Sequence, residues 1–154
     1  MSVSNLLGFA MPKIVVTKEL DATASAVWKL LANFGDVSWI PVADRVDVDG
    51  DGVGMRRLIH GAGDQPVIET LTYLNPERME VGYSIANNPL PVARFDAVVA
   101  VRPTRAGSAI SWEVDYEPLG STDADAQAAR DAVEAVYEMM AGWLADVATT
   151  RIAD

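Results

Sequence analysis

The chain has 154 residues, half of them hydrophobic and 22% charged, a composition that builds a core and excludes intrinsic disorder. A formal net charge of −10 repels phosphate backbones and anionic lipid headgroups, so neither nucleic-acid binding nor membrane insertion is expected. There is no cysteine, which excludes disulfides, thiolate nucleophiles and cysteine-based metal sites, and no apolar run reaches the length of a membrane span.

Val3 to Met11 is mildly apolar but lacks the basic start of a secretion signal, so residues 1–12 read as a tail on a cytoplasmic protein. Lys13 to Leu20 is a β-branched first strand. Thr23 is placed to cap a helix to about Asn33, and Asp36 to Ile40 reads as a second short helix stopped by Pro41. Ala43–Val48 and Gly54–His60 form the next two strands around an Asp49-Gly50-Asp51-Gly52 hairpin turn. Four more follow at Val67–Leu74, Arg78–Ala86, Val92–Arg102 and Ala109–Glu117, separated by loops rich in glycine, proline and asparagine. A long helix then runs from Ser121 or Thr122 to about Thr150, its apolar stripe made by Val133, Val136, Tyr137, Met140, Leu144 and Val147. With no repeat and no linker, one α+β domain over residues 13–154 accounts for the pattern.

Alternation carries the chemistry. It groups Glu69 with Val67, Leu71 and Tyr73, and Tyr83 with Met79, Val81 and Ile85, so an acid and a phenol sit on apolar faces. In the seventh strand Ile110, Trp112, Val114 and Tyr116 share one face, Ser111, Glu113 and Asp115 the other. His60, the only histidine, has the opposite parity to Arg57 and borders a glycine loop, which places it at a rim. Asp47, Asp49 and Asp51 imitate the start of a calcium loop, but its closing acid would fall on Leu58, so a hairpin explains them better. No metal-ligand spacing, nucleotide loop or Ser-His-Asp arrangement stands out, and no cofactor or metal is expected.

Several pieces carry a family resemblance: Trp39-Ile40-Pro41, Gly54-Met55-Arg56-Arg57, Glu69-Thr70-Leu71, Tyr83-Ser84-Ile85, Pro89-Leu90-Pro91-Val92, and Trp112 to Pro118. In this order they resemble the polyketide cyclase/dehydrase branch of the START/Bet v 1-like (SRPBCC) superfamily. The resemblance implies a helix-grip fold: a seven-stranded curved antiparallel sheet around a long C-terminal helix, with two short helices after the first strand and an apolar pocket inside. The strand 3 to strand 6 block is similar to lachrymatory factor synthase and to the abscisic-acid receptors. That similarity implies a pocket arginine at Arg57, a pocket glutamate at Glu69 and pocket aromatics at Tyr83 and Phe95. The receptors' carboxylate-binding lysine is replaced here by Pro41, so a hormone-type ligand is not expected. Trp39, Leu71, Tyr137 and Met140 complete the expected walls, with His60 at the rim. The resemblance would also turn Glu113 into the pocket, whereas apolar-in logic buries the Trp112 face instead; the sequence leaves both open.

Two main readings follow. One is a carrier, sensor or store for a small hydrophobic or aromatic metabolite, oriented by Arg57, Glu69 and Tyr83. The other is a cofactor-independent cyclase, dehydratase or isomerase, with Glu69 shuttling a proton and Arg57 stabilising an oxyanion. A protein-interaction domain is a third, and would need a large exposed apolar patch.

Overall fold

A computed structural model describes residues 13–61 and 63–153, the side chains of 150–153 excepted. The expected tail, residues 1–12, lies outside the described residues. Seven strands are present: β1 (Lys13–Leu20), β2 (Arg45–Asp49), β3 (Arg56–His60), β4 (Val67–Asn75), β5 (Glu80–Ala86), β6 (Val92–Pro103) and β7 (Ser108–Pro118). Two helices accompany them, α1 (Ala24–Ala32) and α2 (Asp123–Ala153). All neighbouring strands are antiparallel, in the order β1-β7-β6-β5-β4-β3-β2. The first strand therefore pairs with the last, Lys13 opposite Asp115 and Leu20 opposite Ser108.

Local chemistry explains the helix starts. Thr23 accepts from the Ala26 N–H through its hydroxyl and caps α1. At α2 the Thr122 hydroxyl accepts from the Asp125 N–H, and the Asp125 carboxylate accepts from the Thr122 N–H, a reciprocal capping box. The second short helix does not form. Asp36 Oδ1 instead takes the Ser38 N–H, and successive turns close from Val37 O to the Ile40 N–H and from Ile40 O to the Ala43 N–H. A side chain that satisfies the backbone locally competes with a helix, and Pro41 prevents one from extending. The turns still bury Val37, Trp39 and Ile40.

The 31 residues of α2 span about 46 Å at 1.5 Å per residue and lie across the sheet's apolar face. Its buried line is Ala129, Val133, Tyr137, Ala141, Leu144 and Ala148. Three alanines in that line bring the helix close, while Val136, Met140, Trp143 and Val147 sit half-buried beside it. Opposite, β7 turns Ile110, Trp112, Val114 and Tyr116 inward, at most 3% exposed, and the Tyr137 ring stacks on Trp112 at 4.7 Å. The β7 ambiguity is thus settled by burial: the Trp112 face is core. Glu113 lies on the outer face, where its carboxylate accepts from Lys13 Nζ at 2.7 Å, so it is not a pocket acid.

One expected partner of Glu69 also turns away. A β-bulge at Thr72 shifts the β4–β5 register between Leu71 and Tyr73, which inverts the alternation. Tyr73 therefore reaches outward, 38% exposed, and donates to Glu80.

Candidate functional site

Two adjoining hollows lie between the sheet and α2. The larger has a volume of about 220 Å³ and an almost wholly apolar lining. Of the expected residues, Glu69, Tyr83, Phe95, Tyr137 and Met140 line it. The smaller, about 20 Å³, touches Trp39, Arg57, Tyr83, Met140 and Trp112, and shares Tyr83 and Met140 with the larger. Leu71 is buried but borders a separate surface groove with Phe34, Gly35 and Met55. His60 is on the outer face, bonded through Nε2 to Asp47 Oδ2 at 2.8 Å, and is not a wall of either hollow. That bond and Arg45 hold the Asp47 carboxyl below the usual range.

Arg57 and Glu69 are direct cross-strand partners on β3 and β4. Their side chains are 9% and 6% exposed. Both guanidinium contacts fall on one carboxylate oxygen: Nε donates to Oε1 at 2.7 Å, and Nη2 lies 2.5 Å from it. Nη1 donates to the Phe34 carbonyl at 2.8 Å, and the guanidinium lies 3.9 Å over the Phe34 ring. Phe34 thus fixes the arginine from both its backbone and its ring. Helical spacing marks Phe34 only as an apolar residue, and nothing in the sequence signals this role. Glu69 Oε2 receives no hydrogen bond from the described residues, so the acid keeps an open acceptor at the cavity wall.

A second buried polar pair sits alongside. The Tyr83 and Tyr137 hydroxyls are 2.7 Å apart. Burial pushes both phenols well above the ordinary tyrosine range, with the Glu69 charge adding to the effect at each. Both therefore remain protonated at neutral pH. One O–H satisfies the other, which leaves one hydroxyl proton with no acceptor among the described residues. The wall of the larger cavity thus offers a spare phenol donor and a spare carboxylate acceptor, and the buried Asn88 Nδ2 is a further donor on it with no partner among the described residues.

The rest of the lining comes from residues that sequence reasoning did not single out as a site, among them Ile40, Val42, Ile85, Val136 and Trp143, with Asn88, Pro89 and Leu90 from the β5–β6 loop. Met139, half-exposed at 52%, stands with them. Their signal was available only in part, because a loop proline or a helix-edge tryptophan looks the same over a cavity as over a core. Among the described residues no group of three or more acids and histidines is spaced to hold a metal, and no helix is long and apolar enough to cross a membrane.

A curved antiparallel sheet gripping a long C-terminal helix, with a hollow between them, defines the START/Bet v 1-like class. Residues 11–149 match the polyketide cyclase / dehydrase and lipid transport family, and the chain belongs to it. Solved structures agree on the fold. An uncharacterised protein from Bacillus thuringiensis superposes with a TM-score of 0.77 at 20% identity, covering 90% of this chain and 99% of its own. Ara h 8.0201 gives 0.75 at 12% identity, covering 92% and 99%. A Nitrosospira multiformis protein gives 0.72 at 24% identity, covering 93% and 100%. No curated protein matches the sequence.

Proposed function

We propose that residues 13–154 act as one helix-grip domain that binds a small hydrophobic or aromatic metabolite between sheet and helix. The observation that carries this is the apolar 220 Å³ hollow with the Tyr83–Tyr137 pair and the Arg57-bound Glu69 on its wall. Its size decides the scale of the ligand. It exceeds the ~150 Å³ of a cavity that takes benzene and falls short of the ~300 Å³ at which drug-sized pockets begin. A one- or two-ring compound matches that volume, and a long acyl chain or a four-ring polyketide does not. The spare phenol proton and the open Glu69 oxygen orient it. The description of the family, which spans polyketide cyclases, dehydrases and lipid transport, supports a hydrophobic occupant.

2-Naphthol tests the reading, because it combines a two-ring body with a hydroxyl for Glu69. Saturable one-to-one binding by fluorescence titration is expected, together with its loss in Val136→Trp, which fills the hollow. Absence of saturable binding in the parent protein, with native mass spectrometry also finding no co-purified metabolite, would refute it.

A second reading, cofactor-independent proton transfer, is favoured by one observation. Glu69 presents an unbonded oxygen to an apolar cavity while Arg57 holds the other. An acid so placed can accept a substrate proton, with the phenol pair stabilising the charge that develops on oxygen. Glu69→Gln would abolish such turnover and leave binding of the ring body nearly intact; turnover retained in that variant removes Glu69 from the chemistry.

A further inference from the structure

Trp39 is 4% exposed, and its indole Nε1–H has no hydrogen-bond acceptor among the described residues. A buried donor left without a partner costs about 1–3 kcal/mol, so native proteins rarely keep one without a use for it. Trp39 borders the 20 Å³ hollow, and so does Arg57. The guanidinium has five N–H groups, of which Nε, one on Nη1 and one on Nη2 are directed at Glu69 and Phe34. The surplus on this wall is therefore of donors. The hollow has room for about one oxygen atom. It meets the larger cavity at Tyr83 and Met140, and the flexible thioether of Met140 is the softer of the two dividing side chains.

We infer that the small hollow is an oxygen subsite, in which the Trp39 N–H and Arg57 receive the carbonyl oxygen of a neutral one- or two-ring aromatic ketone whose ring occupies the larger cavity. The inference rests on the pocket-binding reading and adds the ligand's functional group. Neutrality follows from the charges. Glu69 already compensates Arg57 at 2.5 Å, and the chain carries a net charge of −10. A ligand carboxylate would place a second negative charge beside Glu69, and among the described residues no lysine or arginine other than Arg57 lines either hollow to balance it. A carbonyl needs only donors.

Three probes with one ring system test this: 2-acetylnaphthalene, 2-ethylnaphthalene and 2-naphthoate. The ketone is expected to bind about three- to tenfold more tightly than the hydrocarbon, which is the net worth of one hydrogen bond. 2-Naphthoate is expected to bind more weakly than both. The direct readout is the Trp39 Nε1–H signal, one of four indole signals in a proton–nitrogen correlation spectrum of the native chain, assigned by through-bond connection to its own backbone. It should move downfield with the ketone and stay in place with the hydrocarbon. Trp39→Phe should bring ketone and hydrocarbon to equal affinity, and the measurements on the native chain stand even if that variant does not fold. Equal affinities with an unmoved Trp39 signal would overturn the subsite and leave the cavity reading intact. Tightest binding by 2-naphthoate would overturn the neutral-ketone assignment. Failure of all three to bind would overturn both readings together.

Discussion

Removing Arg57 alone should be among the most damaging single changes in the protein, and removing it together with Glu69 should not. In Arg57→Met the Glu69 carboxylate, 6% exposed, loses both guanidinium contacts to Oε1, and the Phe34 carbonyl loses its donor. Stranding one member of a buried ion pair costs about 3–5 kcal/mol. Loss of the cation lying 3.9 Å over the Phe34 ring adds roughly 0.5–1 kcal/mol. A domain of this length shifts its Tm by about 2–4 °C per kcal/mol, so a fall of roughly 7–24 °C is expected. In Arg57→Met/Glu69→Leu no charge is stranded and the apolar volume is largely kept. Most of the loss should be recovered, because a buried pair rarely outperforms a hydrophobic replacement; the remainder is the roughly 1–3 kcal/mol of the Phe34 carbonyl left without its donor. Urea denaturation of the parent, both single variants and the double variant gives the coupling energy from a closed cycle. A loss below about 1 kcal/mol for Arg57→Met, with an unchanged denaturant slope, would mean that Glu69 is hydrated through the cavity, and the argument from burial would fail. A double variant as unstable as the single would fail it too.

The tyrosine pair makes a related prediction. Tyr137→Phe should cost about 1–2 kcal/mol by stranding the Tyr83 hydroxyl, and Tyr83→Phe/Tyr137→Phe less than either single change, by chemical denaturation. Both phenols have raised values in the fold, so the folded state keeps protons that an unfolded chain releases near pH 10. Their contribution is complete below that pH and declines as pH rises above it. Tyrosinate absorbance should show these two phenols ionising only as the protein unfolds. Gly107→Ala should be severely destabilising, because a β-carbon there would stand 2.4 Å from Leu20 O and 2.5 Å from Asp21 O, both backbone atoms; a small change in thermal midpoint would refute that close approach. His60→Gln and Glu113→Gln should leave 2-naphthol affinity unchanged, since both side chains lie on the outer face, and a several-fold loss in either would contradict that placement.

Much of the fold was legible because its signals are local. β-Branched runs and turn residues mark all seven strands to within about two residues, and Thr23 and the Thr122 region mark the helix starts. The failures have specific causes. The helix expected at Asp36–Ile40 lost to an Asp36 side-chain bond and two consecutive turns. Tyr73 was assigned inward because alternation assumes an unbroken ladder, and a single bulge reverses it. At the site, Arg57 and Glu69 do meet, and Tyr83 does face the hollow. The Tyr83–Tyr137 bond, the Phe34 clamp and the unpartnered Trp39 N–H were not legible. Each depends on how α2 and the 33–44 segment pack on the sheet, which periodicity does not encode. Glu113 shows the reverse case. The residue pattern, apolar inward, described the strand better than the family resemblance did.

The pairing of the first strand with the last has a consequence for synthesis. β1 is made before the other six strands, yet its neighbour in the sheet among the described residues, β7, is about a hundred residues downstream, and the helix that covers the apolar face comes later still. The strands from β2 to β7 can zip as successive hairpins, but the nascent chain carries an uncapped β1 and an open greasy surface until β7 and α2 have been made. Such non-local closure is slow compared with helical or hairpin folding. The period most exposed to aggregation is therefore the interval between the synthesis of β7 and that of α2, when a nearly finished sheet has nothing to grip.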